Sequence, residues 1–128
     1  MLVDVAIGEI FDKITILDIK LERISNSDRL FYVSKEKQVL EQALVRESIV
    51  IEPSLYEELK NINLKIWDTE DGFREKEAKE DFDDEFVRFA RLNAKYNDER
   101  FLVKKKINEY YDCEIREQKS YDRLYTSD

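Results

Sequence analysis

Histidine is absent from this chain of 128 residues, and glycine (2), proline (1) and cysteine (1) barely occur. Each shortage excludes something. Without histidine there is no His-based catalytic triad, the commonest general base is missing, and most zinc sites are ruled out. A bound metal would need oxygen ligands, which means Mg²⁺, Mn²⁺ or Ca²⁺. The lack of glycine and proline removes the turns that an all-β chain needs. The lone Cys113 cannot form an intramolecular disulfide, so a reducing compartment is expected. With no histidine to activate it, Cys113 reads as an inert thiol. Long apolar runs are missing as well. Residues 1–25 carry Asp4, Glu9, Asp12, Lys13, Asp18 and Lys20, which leaves no room for a signal peptide or a membrane span. The expectation is a cytoplasmic protein with no membrane partner. Basic charge is also short: 22 basic against 30 acidic residues give a net charge of -8, which argues against a nucleic-acid partner. The run Lys104-Lys105-Lys106 then reads as a solvated helix end.

What is present is charge interleaved with hydrophobic residues, 41% and 42% of the chain. That is the composition of amphipathic helices. The periodicity predicts one all-α domain spanning 1–128, with helices at about 8–24, 28–48, 54–80 and 84–111 and a tail over 112–128. The first helix carries Ile7, Ile10, Ile14, Leu17, Leu21 and Ile24 on one stripe. Ile16 and Ile19 fall off that stripe, which suggests a second buried face against another subunit or under a terminal segment. Ser27 is the expected N-cap of the second helix, and Ser54 with Glu57 the expected capping box of the third. Gly72 is placed on the third helix's outer face. The fourth helix has the seam Phe86, Phe89, Asn93, Tyr96, Arg100, Val103, Ile107 and Tyr110, alternating threes and fours as in a coiled coil. Short links then give an antiparallel four-helix bundle with a long C-terminal hairpin and short extended termini. The first pair of helices should pack on part of that hairpin.

The hairpin's stripes are unusually polar. Glu70, Arg74 and Glu77 share one ladder of the third helix, and Asn93, Asn97, Arg100 and Lys104 lie on or beside the fourth helix's seam. Reflection through the turn near residues 81–83 makes facing numbers sum to about 163, so Asn63 should face Arg100. The structural reading is a satisfied buried network that fixes register, with Asp18 as the acid available to Arg100. The functional reading is an anion site, since Arg and Lys together suit phosphate or carboxylate. Its candidate residues are Arg100, Lys104, Lys13, Glu70, Arg74 and Asn97. Glu9 and Lys13 form an ordinary surface pair four apart.

The stretch Gly8-Glu9-Ile10-Phe11-Asp12-Lys13-Ile14-Thr15-Ile16-Leu17-Asp18-Ile19-Lys20 resembles the opening of a family of short bacterial and viral proteins of unknown function. The segments Ile66-Trp67-Asp68, Arg74-Glu75-Lys76-Glu77, Asn97-Asp98, Ile107-Asn108 and Glu117-Gln118-Lys119-Ser120-Tyr121 are similar to it too. The chain departs from the family's pattern at Gly72, Phe73 and Gln118. The resemblance covers nearly the whole chain and supplies no mechanism. It implies at most a loose association with cell-surface carbohydrate biosynthesis.

The expected function is a non-enzymatic module that binds a partner protein or assembles with itself, most simply as a dimer, with no cofactor. The alternative is a site between the helices, in two versions. One resembles all-α nucleotide pyrophosphohydrolases and would use Mg²⁺ on Glu9 with Asp12 and Glu77 with Glu80. The other resembles helical chorismate mutases, with Arg100, Lys104, Lys13 and Glu70 holding a dicarboxylate. Paired acids three apart arise readily in so acidic a chain.

Overall fold

The structure is a computed structural model and describes residues 1–121. Four helices form: α1 (Ile7–Arg23), α2 (Ser27–Arg46), α3 (Pro53–Ala78) and α4 (Asp84–Tyr110). No strand occurs among the described residues. The boundaries follow the sequence pattern closely, but two caps differ. Asn26, not Ser27, caps α2, its side chain accepting from the Arg29 N–H at 3.0 Å. Glu52, not Ser54, caps α3, because Pro53 takes the first helical position, where its fixed φ is already helical and its missing N–H costs nothing. Ser54 is thereby pushed inside the helix. Asp83 caps α4 by accepting from the Phe86 N–H at 3.0 Å.

Helix α1 is the centre of the molecule. It packs against each of the other three helices, α3 and α4 pack along one another, and α2 approaches the backbone of α1 alone. Of the two short helices expected to seat on the hairpin, α1 therefore packs directly on it, while α2 reaches the shared core through side chains such as Leu44. Phe11 and Ile14 of α1 join Leu44 of α2, Leu55, Leu59 and Ile62 of α3, and Val103 and Ile107 of α4 in one apolar core. Tyr111 seals its edge. Its ring meets Phe11 edge-on, and its hydroxyl donates to the Val50 carbonyl at 2.6 Å and accepts from the Glu52 N–H at 2.8 Å. The linker over 49–52 is pinned in this way. Tyr111 fills the place expected of Tyr110, which is 60% exposed.

A central helix must bury more than one stripe. Besides Phe11, Ile14 and Leu17, α1 buries Gly8, Asp12, Thr15 and Ile19, which recur at spacings of four, three and four. Ile19 is fully buried within the single chain, so it needs no second subunit to cover it.

The far end of the hairpin carries a half-buried aromatic cluster. Phe73 stacks near Phe86 at 4.7 Å between centroids, and Phe82 meets Phe86 edge-on at 5.1 Å. Gly72 faces inward here, contrary to its expected outer position. A Cβ on Gly72 would lie 2.6 Å from Cζ of Phe89, so the glycine is what lets that ring in.

The tail is docked rather than loose over its described part. Glu117 reaches Lys104, Lys119 lies over the Phe101 ring, and the Tyr121 hydroxyl donates to Asp98. Residues 122–128 lie outside the described residues.

Candidate functional site

The charged residues converge at the crossing of α1 with the hairpin. Two features of the sequence bring them there. Gly8 has no side chain, and a Cβ would lie 2.8 Å from Asn108 Oδ1 and 2.9 Å from the Lys104 carbonyl. Helices α1 and α4 can therefore cross closely at this point. The cap residue of α1 is Ala6, whose carbonyl accepts from the Glu9 N–H at 3.1 Å but which has no side-chain oxygen to offer the other first-turn N–H groups. Asn108 supplies one from α4, accepting from the Gly8 N–H at 2.7 Å.

One turn further along α1, Asp12 is buried at 3% exposure. Its Oδ1 accepts from Arg100 Nε at 2.9 Å and from Asn63 Nδ2 at 3.0 Å. Its Oδ2 accepts from Arg100 Nη2. Thr15 completes the cluster: it accepts from Asn63 Nδ2 at 2.8 Å and donates to the Asp12 carbonyl at 2.7 Å. This is the planar two-point geometry that suits Arg to a carboxylate. Burial disfavours the Arg100 charge, but the hydrogen bonds and charge of Asp12, helped by Glu9 and Glu117, outweigh it and raise its pKa. Arg100 stays a cation at any ordinary pH.

The second buried cation is Lys104, whose side chain is 8% exposed. Its ammonium lies 2.6 Å from Glu9 of α1 and 3.3 Å from Glu117 of the tail. Lys104 is thus not part of a solvated helix end, whereas Lys106 is more open and pairs with Glu58 at 3.0 Å.

The candidate residues separate into two places that share Arg100. Glu70, Arg74 and Arg100 line a groove of about 340 Å³ between α1 and the hairpin, with Ile16, Ile19, Ile66 and Trp67 as its apolar part. Asn97, Arg100 and Lys104 line a small polar pocket of about 80 Å³ under the tail, with Phe101, Glu117 and Lys119. Lys13 lies in neither. It is exposed and reaches Glu36 of α2 at 3.9 Å, while its expected partner Glu9 goes to Lys104. Asp18, the expected acid for Arg100, instead pairs with Lys37 of α2 at 2.6 Å. Burial lowers the Lys37 pKa less than the Asp18 hydrogen bond raises it, so the net shift is upward. The Glu70–Arg74 contact exists at 3.3 Å on the surface, and Glu77 is exposed and does not extend it. Asn97 donates to the Asn93 carbonyl at 2.9 Å, within α4.

Thr15, Asn108 and Glu117 were not among the expected site residues; Asp12 was expected only as a metal ligand beside Glu9, and Asn63 only as a residue facing Arg100. The spacing Gly8, Asp12, Thr15, Ile19 was the available signal, a second α1 stripe in which two polar residues occupy buried positions. As for metals, no group of three or more His, Cys, Asp or Glu is placed to hold an ion among the described residues. Glu9 and Asp12 are each turned to a cation of α4 instead. No helix among the described residues is long and apolar enough to cross a membrane.

The fold and this ionic crossing define an all-α bundle whose inner charges are answered within the chain. The chain belongs to the family described as a family of unknown function (DUF6165), whose profile matches residues 1–127. Neither a curated protein nor a solved structure matches it.

Proposed function

We propose that this protein is a non-enzymatic helical module that assembles with a second copy through the outer face of α2. The supporting observation is that α2 approaches the backbone of α1 alone and leaves Phe31, Tyr32, Val39 and Val45 exposed. At about 100° per residue these four fall within one side of the helix. That side is also self-complementary. If two α2 helices pair antiparallel about Gln38, Phe31 of each copy meets Val45 of the other, the reciprocal contact that a two-fold dimer requires. The inner charges favour the same reading. Asp12, Arg100, Glu9 and Lys104 hold one another, so none is left as an unengaged base, nucleophile or metal ligand. Light scattering on the eluting protein over a concentration series tests the dimer. A molar mass fixed at the 15.4 kDa of one chain at every concentration contradicts it.

A second reading rests on the groove of Ile16, Ile66, Trp67, Arg74 and Arg100. Its size and apolar lining with a few polar groups suit a small ligand carrying an anionic group. Arg100 spends its Nε and one Nη on Asp12 and keeps further donors on its partly exposed edge. A thermal-shift screen with nucleotides, sugar phosphates and dicarboxylates, with and without Mg²⁺, tests this reading, with Trp67 fluorescence as a local reporter. No shift with any of them ends it.

A further inference from the structure

The docked tail is more ordered in its register than a loose terminus would be. Glu117, Lys119 and Tyr121 are two apart, and they meet Lys104, Phe101 and Asp98, which are three apart. In an extended chain, residues two apart point the same way, and on a helix, residues three apart lie on one ridge. The tail therefore runs back along α4 as a strap with three successive anchors. The centre of this slot is Lys104, a buried ammonium that takes one carboxylate from α1 and one from the strap.

The strap adds no fully buried apolar side chain to its polar anchors: Ile115 is 50% exposed and Tyr121 48%. Glu117 is 37% exposed on its own side of the pair, and Glu9 stays on Lys104 when the strap leaves, so the ammonium is not stranded by release of the strap. Its root is a tight turn, with the Cys113 N–H donating to the Asn108 carbonyl at 2.9 Å and Asp112 in the left-handed region at φ 54. Opening that turn frees a non-glycine residue from a conformation it adopts at some cost. A short, tight hinge carrying a weakly held segment is the arrangement from which protein segments exchange between copies.

We propose that the face of α4 bearing Asp98, Phe101 and Lys104 is a docking slot for an extended acidic–aromatic peptide, filled in each chain by its own residues 117–121 and able to take the same segment from a second copy. The proposal deepens the self-assembly reading by naming a segment that one copy lends to another, and it uses a surface separate from α2.

Two full-length variants test it, both carrying Phe31→Glu so that the α2 contact is removed. Glu117→Lys repels its own strap from Lys104 and opens the slot. Lys104→Glu repels Glu117 and leaves an intact strap with no slot. Mixed, the two should associate in light scattering, while each alone stays a monomer. Because Lys104 is buried, its variant can fail to fold, and a second measurement then decides. A fluorescein-labelled peptide of residues 114–121 should bind the Glu117→Lys chain at least tenfold more tightly than the chain with its own strap intact. A peptide with lysine at position 117 should not bind. Equal peptide binding by both chains, or none by the Glu117→Lys chain, overturns the proposal. A dimer that fails to form through α2 would leave this result unaffected.

Discussion

Asp12 and Arg100 stand 88 positions apart in the chain and meet as a two-point ion pair at the crossing of α1 and α4, with Asn63 of α3 donating to the same carboxylate. Three helices are therefore fixed at one carboxyl group. Such a pair adds little net stability over apolar residues of similar size, but leaving one half buried without the other is costly.

That asymmetry gives the first prediction. Arg100→Met strands the Asp12 carboxylate and should lower the unfolding free energy in urea by about 3–5 kcal/mol. Asp12→Leu combined with Arg100→Met should cost much less than the two single changes together. Additive losses would mean that the pair is not coupled.

The two glycines face different obstacles. Gly8→Ala drives a Cβ against the Lys104 carbonyl, which cannot move without shifting α4, and should destabilise by about 1–3 kcal/mol. At Gly72 the obstacle is only the Phe89 ring. With Phe89 present, Gly72→Ala should destabilise, but by less than Gly8→Ala. In a Phe89→Leu background it should stabilise by about 1 kcal/mol, the gain in helix propensity. Thermal unfolding of the four chains decides both.

The strap should respond to alkaline pH. The hydrogen bond to Asp98, then burial, raises the Tyr121 phenol above its ordinary value. A raised phenol means that its contribution is complete below the unfolded value of about 10 and is lost as pH rises through the folded one. Proton NMR contacts between Lys119 and the Phe101 ring should therefore persist through neutral pH and be lost above about pH 10. Tyr121→Phe should remove that alkaline step. An unchanged step in the variant would assign it to another group.

Element type was legible in the sequence because apolar residues recur at helical spacing and breakers are few. The hairpin register was legible too: Asn63 and Arg100, paired by reflection, do meet at one carboxylate, and Glu58 with Lys106 keep nearly the same sum. Partner choice was not legible. Asp18 and Asp12 are both acids on α1, and only the packing of α2 sends Asp18 to Lys37 and leaves Asp12 for Arg100. Gly72 was misplaced because a missing side chain carries no hydropathy signal of its own. The strap was missed because its anchors are single polar contacts set by the path of α4, without an apolar period of their own.

The measurement that bears most directly on the self-assembly reading is the molar mass of the full chain against concentration, beside a Phe31→Glu/Tyr32→Glu variant and at two salt concentrations. With a net charge of -8 on each copy, salt should tighten an apolar contact by screening repulsion. The expected result is a mass rising from 15.4 kDa toward twice that value, more steeply at high salt, and a variant that stays at 15.4 kDa. A wild-type chain that remains at 15.4 kDa throughout, or a variant that assembles as well as the wild type, would contradict it.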